Sequence, residues 1–142
     1  NIYSRGDKRV KAILIDPMFE TVQEVEYSGD YKDIYKLIGF QNVYMNDKKL
    51  MTGYTPRAFD LVRIPVGNDA IYVDDEGLYA ELQFRWQYRY SPVQAPISLV
   101  NKGLVLGCDD NGETIAPDST VEDIKRSITW DWEYVKKQSK TA

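Results

Sequence analysis

Residues 78–90 alternate strictly between two chemistries. Ala80, Leu82, Phe84, Trp86, Tyr88 and Tyr90 fall on one side of a period-two repeat, and Glu81, Gln83, Arg85, Gln87 and Arg89 fall on the other. Successive side chains of a strand point to opposite faces, so this run reads as a long strand with one face covered and cannot pack as a helix. Pro92 and Pro96 end it, and Asp74-Asp75-Glu76-Gly77 before it reads as a turn with glycine available for positive φ.

Other strands follow from shorter apolar runs. Residues 10–16 (VKAILID), bounded by Pro17, and residues 21–27 (TVQEVEY) form a hairpin candidate across the connection PMFE. Residues 40–45, 61–66, 70–73 and 104–108 read as further strands, with Pro65 either placing the second of these at a sheet edge or lying near the strand's end. Residues 128–134 (ITWDWEY) alternate again as a last strand, whereas residues 46–56 are polar, contain glycine and read as a loop or insertion.

Helical signals occur twice. Asp30 can cap YKDIYKLI, where Tyr31, Ile34, Tyr35 and Ile38 recur at helical spacing and Gly39 stands where a left-handed C-cap belongs. Ser119 as N-cap with Glu122 three residues on reads as a capping box. Val121, Ile124 and Ile128 then form an apolar stripe, and Lys125 and Arg126 suit the negative helix end. The expected fold is α+β, a mostly antiparallel sheet of about six or seven strands with two short helices. With 142 residues and no repeat or linker, a single domain is expected over 1–142, with a loose lead-in over 1–9 and a frayed basic tail over 136–142.

Composition narrows function mostly by exclusion. Histidine is absent, which removes the commonest general base and transition-metal ligand. Cys108 is the single cysteine, so no intrachain disulfide can form. Asp109 and Asp110 beside it disfavour a thiolate, and Cys108 reads as a small residue ending a strand. A net charge of −4 argues against broad nucleic-acid binding, which depends on neutralising phosphates. No apolar run reaches the roughly 18–20 residues of a membrane span, and no signal-peptide pattern opens the chain, so a cytoplasmic protein without membrane contact is expected. No cofactor motif occurs; Gly103 and Gly107 do not build a phosphate loop.

Eleven tyrosines and three tryptophans raise the weight of binding, because aromatic side chains serve cores and interfaces alike. Trp86 and Tyr88 are candidate contact residues, as a stacking platform flanked by Arg85 and Arg89. Alternation sends those arginines to the opposite face, which favours rings that face the core or a sister subunit. Trp130 and Trp132 pose the same choice between sheet cover and partner anchor. Asp74, Asp75 and Glu76 with Asp109, Asp110 and Glu113 form two acidic clusters. They read first as solvated turns, and as a cation site only if the turns converge.

Several ordered blocks resemble a family of small phage- and plasmid-encoded proteins, tailed-phage and cyanophage members among them, known only as a domain of unknown function. They are KAILIDP at 11–17, EVEYSGDYKDIYKLIG at 24–39, AIYVDDEGLY at 70–79 and KGLVLGCDDNGE at 102–113, followed by the capped helix from Ser119. The resemblance implies an accessory protein of a virus or mobile element working in the host cytoplasm, and it implies no catalytic residue. The leading expectation is a binding protein that sequesters or blocks a host component, either a protein or a small nucleotide-type signal. A homo-oligomer is compatible with it. The alternatives are a metal-dependent hydrolase or nuclease built on the acidic turns, and a minor virion component.

Overall fold

Residues 12–15 (AILI) and 104–106 (LVL) are apolar without alternation, the mark of strands covered on both faces. A computed structural model, which describes residues 9–39, 41–53, 61–74 and 83–130, places both runs at the middle of one sheet. β1 (Val10–Asp16) and β2 (Thr21–Tyr27) form the expected hairpin. β9 (Gly103–Cys108) pairs with the other edge of β1, β6 (Asp69–Asp74) pairs with β9, and β5 (Leu61–Val66) ends the sheet. The order is β2-β1-β9-β6-β5, every neighbouring pair is antiparallel, and the short β10 (Thr114–Ile115) adds to β9 at Cys108. Pro65 lies in β5, where a missing N–H leaves the inner ladder intact.

Each face of this sheet has its own cover. α1 (Tyr31–Ile38) lays Ile34 and Ile38 on Ala12, Leu14, Tyr27, Leu104 and Leu106. The opposite face, with Ile13, Ile15, Ile71, Val73 and Val105, meets Trp86, Tyr88, Leu99 and Ile124. Those four come from a second sheet and from α2 (Val121–Ser127). The second sheet has the order β11-β7-β8, with β7 at Arg85–Tyr88, β8 at Ile97–Val100 and β11 at Ile128–Trp130. The fold is α+β, with a six-stranded antiparallel sheet between a helix and a smaller sheet.

The large sheet has six strands, within the expected number, and five further strands of three or four residues form two smaller sheets among the described residues. Several local expectations are corrected. Residues 46–51 do not simply loop, and residues 54–56 lie outside the described residues. Asn46 and Asp47, at φ 52° and 63°, make a tight turn between β3 (Val43–Met45) and β4 (Lys48–Met51), as hairpins with two left-handed turn residues do. The second helix is capped one residue later than expected. Thr120 is the N-cap and Asp123 its reciprocal partner, because Ser119 is already committed to Asp69. Asp30 does cap α1, through Lys32 N–H, but Gly39 is extended at φ −77° and not left-handed. Strand is described over Arg85–Tyr88 and Ile128–Trp130, and residues 75–82 and 131–142 lie outside the described residues.

Candidate functional site

β7 turns its aromatic face inward. Trp86 is fully buried and Tyr88 is 5% exposed, and both belong to the core between the two sheets. The Trp86 indole N–H donates to the Asn101 carbonyl at 2.7 Å, satisfying the one polar atom the ring brings into the interior. Gly103 makes room for that ring, since a Cβ there would come within 3.1 Å of Trp86 and 3.0 Å of Ile71. Trp130, partly buried on the neighbouring β11, tilts against Trp86 with ring centroids 6.4 Å apart. Burial pushes the Tyr88 hydroxyl above its ordinary pKa; a Ser127 hydrogen bond opposes this, and the charges of Asp69 and Asp123 add to it. The three aromatics thus meet one another in the core, and Trp132 lies outside the described residues.

The arginines go elsewhere, as alternation requires. Arg85 is half-buried opposite Val100, on the face away from the rings. Arg89, just past the end of β7, is exposed. Rings and guanidinium groups therefore share no single stacking surface.

The acidic turns are also separated. Asp69 pairs with Gly107 in the β6–β9 register, so Asp109 lies beyond one end of that ladder and Asp74 at the other, roughly 20 Å apart along the strands. The Asp109 carboxylate is engaged within its own turn, accepting from the N–H groups of Asn111 and Glu113, both at 2.9 Å, and Gly112 takes φ 81° there. Among the described residues, no group of three or more histidine, cysteine or carboxylate side chains could hold a metal ion. Asp75 and Glu76 lie outside the described residues. Cys108 is exposed at the end of β9.

Among the described residues, the best-buried carboxylate is one that the sequence did not single out. Asp69 is 3% exposed and accepts from Asp118 N–H at 2.8 Å, Ser119 N–H at 2.9 Å and the Ser119 hydroxyl at 2.7 Å. It ties the β5–β6 turn to the start of α2, and all its bonds are internal to the fold. No short motif marks it, because its partners lie about 50 residues away.

Where β7 ends, the apolar side chains turn outward. Tyr90 is 50% exposed and Val93 is 92% exposed. The loop that carries them is firmly held. Arg89 N–H donates to Ser127 O at 2.9 Å, the Arg89 guanidinium to Gln94 O at 2.9 Å, and Gln94 N–H to Ser91 O at 3.1 Å. Pro92 occupies the second position of that Ser91–Gln94 turn, where its fixed φ is already suitable. The Tyr90 ring rests over Gly67, whose φ of 67° and lack of a side chain admit it. Residues 89–94 thus form a preorganised projection with an arginine, a tyrosine and an exposed valine.

Comparison with family models, with curated proteins and with solved structures returns no match. Among the described residues, no helix is long and apolar enough to cross a membrane.

Proposed function

We propose that this chain is an accessory binding protein of a phage or mobile element that engages a host protein through the loop at residues 89–94 and blocks it. The observation that carries this reading is Val93, 92% exposed at the tip of a loop held by backbone and guanidinium hydrogen bonds. A loop that is already ordered loses little conformational freedom on association, so its apolar contacts count more fully toward affinity. Tyrosine and arginine beside it are residue types that dominate binding hot spots. The resemblance of the ordered blocks to a phage- and plasmid-encoded family is what suggests the biological setting. Trp86, Tyr88 and Trp130 enter this role as the rigid base of the loop.

The test is native mass spectrometry of the protein purified from host lysate, alongside a Tyr90→Ser, Val93→Asp variant. A stoichiometric host protein on the wild type and its loss from the folded variant are expected. A partner-free wild type, or equal capture by the variant, would overturn the assignment.

A further inference from the structure

Among the described residues, the β3–β4 ribbon is a two-stranded sheet of its own, joined to neither larger sheet. Such a ribbon is at best marginally stable in water unless something packs on it. Yet Tyr44, Met45 and Leu50 are 59%, 62% and 52% exposed. Tyr44 stands opposite Lys49 and Met45 opposite Lys48, so two of the three cross-strand pairs join a large side chain to a lysine, the third being Val43 with Met51. With Asp47 at the turn, the ribbon from 43 to 51 carries a net charge of +1 in a chain of net charge −4.

A surface of the opposite character exists on the same molecule. The β1–β2 hairpin and residues 116–122 enclose a groove of about 390 Å³. Ile13, Ala116 and Val121 give it an apolar lining, and Glu24, Asp118 and Glu122 against Lys11 give it a net charge of −2. Of these carboxylates, Asp118 accepts from Asn68 at 3.3 Å and Glu122 sits 3.8 Å from Lys125 in an exposed pair. Glu24 is exposed on the outermost strand of the large sheet.

From this complementarity we infer that the ribbon of one copy lies in the groove of a second copy, and that the exchange is reciprocal. By strand alternation Met45, Lys48 and Leu50 share one face of the ribbon, and on that face Lys48 meets Glu24 and Glu122 of the other copy while Met45 and Leu50 cover the apolar lining; Lys49, on the opposite face with Tyr44, adds to the ribbon's positive charge. Each copy supplies one ribbon and one groove, so a two-fold axis closes the contact and leaves neither surface to propagate. The assembly is independent of the loop at 89–94, and the two assignments stand or fall separately.

Charge exchange in the full chain tests it, read by sedimentation velocity at low and high salt. The wild type is expected to sediment as a dimer that weakens as salt rises. Lys48→Glu with Lys49→Glu, and separately Glu24→Lys with Glu122→Lys, are each expected to give monomers. All four side chains are on the surface, and circular dichroism checks that both variants fold. Mixing the two variants in equal amounts should restore a dimer, because each reversed ribbon then meets a reversed groove. A monomeric wild type, a variant that still dimerises, or a mixture that stays monomeric would overturn the inference. Assemblies that grow with concentration would overturn the reciprocal arrangement.

Discussion

At Gly103 the packing of the two sheets comes down to one missing methyl group. The Trp86 ring and Ile71 already occupy the space a Cβ would need. Gly103→Ala is therefore expected to destabilise the fold by roughly 1–3 kcal/mol through overpacking. Trp86→Ala, which leaves a cavity and strands the Asn101 carbonyl, should cost roughly 3–5 kcal/mol. Chemical denaturation measures both, and a neutral Gly103→Ala would refute the close approach. Tyr27 offers a different test. Burial, with the charges of Asp30 and nearby groups adding to it, pushes its pKa up to about 12. Its ionised form is disfavoured in the folded state, so this contribution is fully present below about pH 10 and falls as pH rises toward 12. A spectrophotometric titration should show a tyrosinate step near pH 12 that is missing from Tyr27→Phe. An unchanged titration in that variant would refute the assignment.

Among the elements, the ends of α2 show how far local pattern reaches. A capping box was expected and one is present, but it sits on Thr120 and Asp123, since Asp69 at the start of β6 holds Ser119. Thr120→Ala is expected to cost about 1 kcal/mol. The Thr120 backbone N–H, its hydroxyl and Arg126 hold the Asp123 carboxyl below the usual carboxylate range. This contribution is present above the ordinary aspartate pKa and disappears as pH falls through the lowered value. The amide resonance of Thr120 should titrate with a midpoint below that of a free aspartate, and a midpoint at the ordinary value would argue against the cap. Asp69→Ala removes three buried hydrogen bonds and should cost roughly 3 kcal/mol, with α2 losing amide-exchange protection before the central sheet does.

The same contrast explains what the sequence could and could not convey. β1, β2, β5, β6, β9 and both helices were legible because each carries a long enough apolar run or repeat in its own sequence. β4, β8 and β10 were not, since strands this short are selected by their neighbours. The inward face of β7 was readable from alternation, so the burial of Trp86 and Tyr88 agrees with the bland reading of those residues. The exposure of Val93 was not readable, because it depends on a turn braced by Ser127 and Gln94 from other parts of the chain.

On the scale of the whole molecule, β9 is the strand on which the fold depends. It enters late in the chain yet lies between β1 and β6, so the large sheet cannot close until most of the chain is present. Such non-local pairing predicts slow folding for a chain of this size. Stopped-flow refolding should lie in the millisecond-to-second range typical of β-rich topologies, and microsecond refolding would contradict the sheet order.

Both faces of that sheet are already occupied, one by α1 and the other by the smaller sheet. On the binding role proposed above, sequence drift that alters recognition would be steered to turns and margins, where a substitution need not be matched by a compensating change inside. A lineage can retarget such a protein quickly while its interior stays the same.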